Sequence, residues 1–188
     1  MSGSVYFAYH TITWRSLEEA LPAIAAAGYE GFEAFSSAAD AEPGDFRRLC
    51  QRHGLRLAAL YHGVELLDPS RTSEELKIAQ RLAAWISRQG GEYLLLGGGH
   101  VHPDGNTRED YCRLADALSA MGQLCQDEGV LACYHPHWGS AVENGDQLDL
   151  LMEMADPRYL FLAPDTAQLA VGGCDPAVVF RTYATRIR

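Results

Sequence analysis

The sequence contains very little lysine: Lys77 is the only one among 188 residues, and the formal net charge at pH 7 is −10. Nucleic-acid binding depends on clustered Lys and Arg side chains that neutralise phosphates. A chain this acidic is therefore not expected to bind nucleic acid. Its charge does not oppose binding of a neutral sugar or of a divalent cation.

Long apolar runs and paired cysteines are also missing. No apolar run approaches the ~20 residues that span a bilayer, and no basic segment followed by an apolar stretch stands at the N-terminus. The five cysteines form no Cys-x-x-Cys pair, which argues against a zinc ribbon or a disulfide framework and fits core thiols in a reducing compartment. We therefore expect a cytoplasmic protein without membrane contacts.

Short apolar runs alternate with amphipathic segments along the whole chain. Strands are predicted to start near residues 5, 31, 55, 92, 130 and 159, with helices between them. The clearest helical pattern has apolar residues at steps of three and four, namely Tyr111, Leu114, Leu118, Met121 and Cys125. Repeated βα units of this kind imply a parallel sheet that is covered by helices.

Two α/β architectures fit this alternation, a (β/α)₈ barrel and an open doubly wound sheet. The sequence has six βα units in 188 residues, whereas a complete barrel has eight units and about 250 residues. A seventh strand would begin at residues 186–188, and no linker or internal repeat divides the chain. We predict a single domain over residues 1–188, a TIM-barrel type (β/α)₈ fold truncated to about six βα units, with strands seven and eight missing.

Histidines gather behind the predicted strands. Six of the seven follow a strand directly: His10, His62, His100, His102, His135 and His137. Asp165 follows the sixth strand, and Glu33 lies within the second. A single histidine in a loop is usually a solvated or capping residue. In parallel α/β folds, however, the loops after the strands build the active site at one face, so the joint pattern predicts a site.

Two His-x-His pairs stand out, 100–102 and 135–137. On an extended segment, residues i and i+2 point to the same side, and two imidazoles there suit a divalent metal or the hydroxyls of a sugar. Glu143 and Asp165 come after the second pair. Carboxylate and imidazole donors together favour Mn²⁺, Co²⁺, Zn²⁺ or Fe²⁺ over a metal that prefers thiolates.

Two tryptophans, Trp14 and Trp138, are placed at the same predicted mouth. An indole there could stack on the apolar face of a sugar ring, or it could simply pack the loops. The glycines at 97–99 come directly after a strand, but they form neither a dinucleotide-binding nor a phosphate-binding motif.

Several stretches resemble the xylose-isomerase-like superfamily of sugar phosphate isomerases and epimerases. Residues 27–33 (AGYEGFE) resemble the second-strand signature of that family, and residues 134–140 (YHPHWGS) the fifth-strand motif of its inosose dehydratase branch. Residues 162–169 (LAPDTAQL) resemble the sixth-strand motif Leu-x-x-Asp-Thr-Gly-His-Leu, and residues 172–176 and 183–187 resemble the family's segments C-terminal to that motif. The likeness covers essentially the whole chain.

The resemblance implies a divalent metal in the barrel mouth (Mn²⁺, Co²⁺, Zn²⁺ or Mg²⁺), with ligands from strands five to eight, and a small-molecule sugar or polyol as substrate. Asp165 matches the sixth-strand ligand, and Glu143 or His137 would supply the fifth-strand ligand. The family histidine three residues after the aspartate is Gln168 here. Glutamine can bond a hydroxyl, but it cannot shuttle a proton near neutral pH.

The chemistry that the resemblance implies is proton abstraction next to a metal-polarised carbonyl. Glu143 and His137 are the candidate catalytic bases. The candidate substrate-binding residues are His10, Trp14, His62, His100, His135 and Gln168. We expect an isomerase or epimerase if the proton returns elsewhere, and an inosose-type dehydratase if a β-hydroxyl leaves.

Other interpretations stay open. His-x-His pairs also occur in metal-dependent barrel hydrolases, although there the pair lies on the first strand. Kinship with endonuclease IV points to DNA repair, which the net charge of −10 opposes. A truncated barrel exposes strand edges and apolar surface, so the chain could be an inactive fragment that serves only in assembly. We favour a partial sequence of an active enzyme, with a homo-oligomer as one possible state.

Overall fold

The chain folds as six strands, each followed by at least one helix, in a computed structural model that describes residues 5–99, 101–102 and 104–188. The strands are β1 (Ala8–His10), β2 (Gly31–Phe35), β3 (Arg56–Val64), β4 (Tyr93–Gly98), β5 (Leu131–His135) and β6 (Leu160–Leu162). The helices are α1 (Leu17–Ala26), α2 (Pro43–His53), α3 (Thr72–Gln89), α4 (Arg108–Asp127), α5 (Gly145–Met154), α6 (Thr166–Val171) and α7 (Pro176–Thr182). Two 3-10 helices, Thr11–Thr13 and Ser36–Asp40, come after β1 and β2.

The six strands form one parallel sheet in the order β1-β2-β3-β4-β5-β6. A doubly wound sheet reverses its strand order partway, whereas a barrel adds each strand to the same side of the previous one. The observed order therefore confirms the prediction of a barrel-type sheet, of which six strands are present. An isolated parallel bridge between Leu162 and Ile187 lies where the seventh strand is predicted to begin.

The main hydrophobic core lies between the sheet and its helices. In β4, Leu94 and Leu96 are fully buried on the helix side, while Tyr93 and Leu95 line the opposite, concave face. Successive side chains of a strand point to opposite faces of the sheet, so one set packs against the helices and the other lines the concave face. Among the described residues, none of the helices combines the length and the apolarity that are needed to cross a bilayer.

The predicted strands are all present, but some of their ends differ. β1 begins at Ala8 and not near residue 5, and β3 continues past its apolar run to Val64. His62 therefore lies within a strand and not after it. Helix α6 is not predicted by the sequence pattern, because its six residues are too few to show a helical period. The aspartate that precedes it, Asp165, is its N-cap.

We expect Gly122→Ala to destabilise the fold by about 1–3 kcal/mol, because α4 packs directly on the start of β6. A Cβ at position 122 would lie 2.3 Å from the backbone oxygen of Tyr159, and a backbone atom cannot rotate away as a side chain can. The free energy of unfolding in urea measures the effect.

The matched control is Gly44→Ala, the same substitution in helix α2. There a Cβ would meet only the end of the flexible Arg48 side chain, at 3.5 Å. Alanine favours helix over glycine, so this variant should be as stable as the parent or more so. Equal losses in both variants would contradict the close approach of α4 to β6.

Candidate active site

The concave face of the sheet forms an open cavity of about 730 Å³. Its walls come from β1 to β5, from the segment after β6 and from the end of the chain. The polar side chains that line it are His10, Glu33, Tyr61, Tyr93, His135, His137, Asp165, Gln168 and Arg188. A cavity of this volume accommodates a small polar molecule such as a monosaccharide.

The cavity brings together five of the residues that the sequence predicted for the site: His10, His135, His137, Asp165 and Gln168. Three others, Trp14, His62 and Glu143, do not line it. His100 lies outside the described residues, so its predicted contact with substrate stays a prediction.

His62 lies on the helix side of β3, whereas its neighbour Tyr61 lines the cavity. The Nδ1 atom of His62 is 3.2 Å from the hydroxyl oxygen of Ser36, and its Nε2 atom is 3.0 Å from Oε2 of Glu75. Because β3 runs on to Val64, the alternation of the strand turns His62 outward. This placement separates it from the other histidines of the site.

Trp14 and Glu143 also have partners outside the cavity. The half-buried Trp14 packs edge-on against Tyr9, with ring centroids 5.4 Å apart. The Oε2 atom of Glu143 accepts the backbone N–H of Gly139 at 2.9 Å, so this carboxylate braces the loop after β5. Trp138, on the same loop, is 59% exposed.

Glu33 lines the cavity; the sequence placed it in the predicted cluster but assigned it no catalytic, substrate-binding or metal role. Its Oε1 atom is 3.2 Å from Nε2 of His10, and its side chain is 22% exposed. Burial, followed by repulsion from the charge of Asp165, raises the pKa of Glu33 to about 7. The sequence signal for its position is an acid between two apolar residues, Phe32 and Ala34. Since these two side chains face the helices, the alternation of the strand places Glu33 on the cavity side.

The backbone fixes which nitrogen of His10 carries the proton. Its Nδ1 atom accepts the N–H of Ile12 at 2.9 Å, so the proton of the neutral ring is on Nε2, which donates it toward Glu33. Burial, and secondarily the charge of His135, lower the pKa of His10. At neutral pH the pair thus consists of an uncharged imidazole and a carboxyl that is partly ionised.

His135 and His137 have the opposite tautomer. The Nδ1 atom of His135 is 3.3 Å from the carbonyl oxygen of Ala163, and that of His137 is 2.7 Å from the carbonyl oxygen of Trp138. A carbonyl only accepts, so each ring is protonated at Nδ1, and the neutral form of each ring has its lone pair on Nε2. Burial lowers the pKa of His135, against an opposing effect of Asp165. A neutral imidazole of this kind can accept a proton.

Backbone N–H groups orient the side chains of Asp165 and Gln168, two residues of the segment after β6. The Oδ1 atom of Asp165 accepts the N–H groups of Ala167 and Gln168, at 2.7 and 3.0 Å. The Oε1 atom of Gln168 in turn accepts the N–H of Trp138 at 3.1 Å. The NH₂ group of Gln168 therefore remains available to donate hydrogen bonds to an acceptor in the cavity.

The predicted metal ligands are only partly brought together. Asp165 and His137 line the same cavity, but Glu143 does not. In the part of the chain that the structure describes, no three His, Cys, Asp or Glu side chains are grouped so that they could hold a metal ion. Catalytic metal sites use three or more protein ligands in most cases, so the described residues alone do not fit a metal centre.

A curved parallel sheet with its polar side chains in the concave face is the arrangement of a barrel enzyme. Residues 21–188 match the sequence model of the family described as xylose isomerase-like TIM barrel, and the chain belongs to that family. This match confirms the family resemblance of the strand motifs.

The curated relatives are enzymes. Inosose dehydratase of Geobacillus kaustophilus is 32% identical over 160 residues, which cover 78% of this chain and 52% of that protein. Inosose dehydratase of Clostridium tetani is 39% identical over 82 residues, 44% of this chain and 28% of that protein. The chain thus spans about half, or less, of the length of these relatives.

Solved structures share the fold. A probable 3-DHS dehydratase involved in petrobactin synthesis, from Bacillus anthracis, superposes with a TM-score of 0.83 at 15% identity, covering 98% of this chain and 71% of that one. D-allulose 3-epimerase of Methylomonas sp. gives a TM-score of 0.82 at 18% identity, covering 97% and 70%. At these identities the likeness establishes the fold and no particular reaction.

We expect Glu33→Gln to stabilise the chain at about pH 8 by about 2 kcal/mol and to have little effect at about pH 4. The pKa of Glu33 in the folded chain, about 7, is above the ordinary value of 4.5. The folded state therefore holds this proton more tightly, and stability falls as pH rises between the two values. Glutamine cannot ionise, so the variant escapes that loss. Urea unfolding at the two pH values measures it.

Glu30→Gln is the control, since Glu30 is exposed and 3.4 Å from Arg56. We expect no comparable pH-dependent gain from it. A similar gain in both variants would mean that overall negative charge, and not the burial of Glu33, is responsible.

We expect 1 mM Mn²⁺ or Co²⁺ to raise the thermal unfolding midpoint of this chain by less than about 1 °C, because a weakly held ion adds little stability by mass action. Asp165→Ala is compared with Asp175→Ala, which removes the N-cap of α7 as the first removes that of α6. A rise of several degrees that only Asp165→Ala abolishes would contradict the expectation and show that Asp165 binds metal.

Proposed function

We propose that this chain carries the acid–base groups of an enzyme that removes a proton from the carbon next to the carbonyl of a keto-sugar or keto-polyol. The observation that carries the proposal is the pairing of His10 with Glu33 in the same cavity as His135. The pKa of Glu33 is about 7, and the Nε2 atom of the neutral His135 ring has a lone pair that can accept a proton.

Glu33 can act both as a proton donor, in its protonated form, and as a proton acceptor, in its ionised form. With a pKa of about 7, the carboxyl is present at neutral pH as an acceptor and as a donor of a proton, which is the condition for efficient general acid–base catalysis. In its ionised form it accepts the Nε2–H of His10. His135 can take up the substrate proton at Nε2.

Two outcomes are possible after the same first step. If the abstracted proton returns to the other face or to the neighbouring carbon, the substrate is epimerised or isomerised. If instead the β carbon–oxygen bond breaks, the leaving hydroxyl takes up a proton from the acid and departs as water. The inosose dehydratases among the relatives support the second outcome, and the epimerase neighbour shares only the fold.

Several expectations about the whole enzyme stay predictions. Divalent-metal dependence rests on the family resemblance, and its ligands would have to include groups beyond those of the described residues. Cytoplasmic location, the lack of nucleic-acid and membrane contacts, and a homo-oligomeric state likewise rest on the sequence.

The proposal is tested by incubating the chain in D₂O with inosose or with a ketohexose and monitoring the C–H signals next to the carbonyl by NMR. Loss of these signals reports proton abstraction, and an unsaturated ketone with ultraviolet absorbance reports dehydration. We expect Glu33→Gln to slow exchange by about 10²-fold or more, the usual effect of removing a general acid–base group.

Glu143→Gln is the informative comparison, because Glu143 is a candidate base from the sequence that lies outside the cavity lining. We expect it to slow exchange by less than about tenfold. The reverse ranking of the two variants would transfer the general acid–base role that is proposed for Glu33 to Glu143. If no proton exchange is detected with either substrate, the proposed function is refuted for this chain.

A further inference from the structure

A buried carboxylate lies directly behind the wall of the cavity. Glu75 of α3 is 2% exposed, and both of its oxygens have donors. Oε1 accepts the backbone N–H of Glu65 at 3.3 Å, and Oε2 accepts from Nε2 of His62 at 3.0 Å. A buried carboxylate is costly unless it is bonded in this way.

The carboxylate orients the ring of His62 and, through it, the end of β2. The Nε2–H of His62 donates to Glu75, and the Nδ1 atom is within hydrogen-bond distance of the hydroxyl oxygen of Ser36, 3.2 Å away. Ser36 is the first residue after β2. One helix thus holds the ends of two neighbouring strands through a single chain of hydrogen bonds.

Phe35, which precedes Ser36, lines the cavity. The ring of Phe35 packs edge-on against the ring of His10, with centroids 5.0 Å apart, and against Tyr61 at 6.0 Å. His10 in turn donates to Glu33. A displacement at Ser36 would therefore be transmitted to the His10–Glu33 pair through one aromatic ring.

We propose that Glu75, His62 and Ser36 are positioning residues that hold Phe35 against His10 and so maintain the geometry of the His10–Glu33 pair. The inference rests on the proposed function, since it gives these three residues a role in that acid–base site. They do not line the cavity, so they act through Phe35 and not on a substrate.

The test compares Ser36→Ala, Ser36→Thr and Ser37→Ala by recording the imidazole signals of His10 through a pH titration in NMR. Burial holds the pKa of His10 below its ordinary value. Loosening Phe35 should expose the ring, so we expect Ser36→Ala to raise the titration midpoint by about half a pH unit. Phe35→Leu should act in the same direction, because it removes the ring contact itself.

Two controls separate positioning from general stability. Ser36→Thr keeps the hydroxyl and should restore the parent titration of His10. Ser37→Ala makes the same change one residue further along the same 3-10 helix, at an exposed position, and should leave that titration unchanged. The thermal midpoint of each variant is measured alongside.

The proposal is overturned if Ser36→Ala lowers the thermal midpoint while the His10 titration stays as in Ser37→Ala, because the hydrogen bonds would then only stabilise the fold. The titration needs no substrate. A chain that shows no proton exchange with keto-polyols would refute the proposed function, and the His10 measurement would still decide whether the three residues position the pair.

Discussion

The alternation of side chains along the curved parallel strands decides which residues meet in the cavity. Phe32 and Tyr134 are fully buried on the helix side, while Glu33 and His135, each one residue further on, line the cavity. A shift of one residue would exchange the two sets. A local irregularity in the pairing of β2 with β3, between Phe32 and Glu33, lies at the acid that the proposed chemistry needs. The site therefore depends on strand register before it depends on any individual contact.

Burial of Glu33 links function to stability. The concave face removes water from the carboxyl, and Asp165 adds a like charge, so that its pKa rises to about 7. The same burial that makes the group useful as an acid and a base at neutral pH makes its ionised form unfavourable to the folded chain. Sites of this kind are commonly retained at a cost to stability. The hydrogen bond from His10 partly offsets that cost.

The fold was predictable because every strand is a short apolar run between turn residues, and because the motifs near Glu33, His135 and Asp165 mark three strands independently. The site was predictable only in part. Which way a histidine points depends on where its strand ends, and β3 ends later than its apolar run indicates, so His62 faces α3. Glu143 is near His137 in sequence, yet it bonds its own loop. Glu33 is distant in sequence and adjacent to His10 through strand pairing, which only the sheet reveals.

The glutamine at position 168 shows where proton transfer can occur under the proposed function. The family resemblance places a histidine there, but Gln168 does not titrate, and its oxygen is engaged by the N–H of Trp138. Its NH₂ group can orient a substrate oxygen and cannot exchange a proton with it. The groups that the proposal uses to move protons are Glu33, His10 and His135, all of which lie on strands. Strands hold side chains more precisely than loops do, so these three groups keep a defined geometry relative to one another.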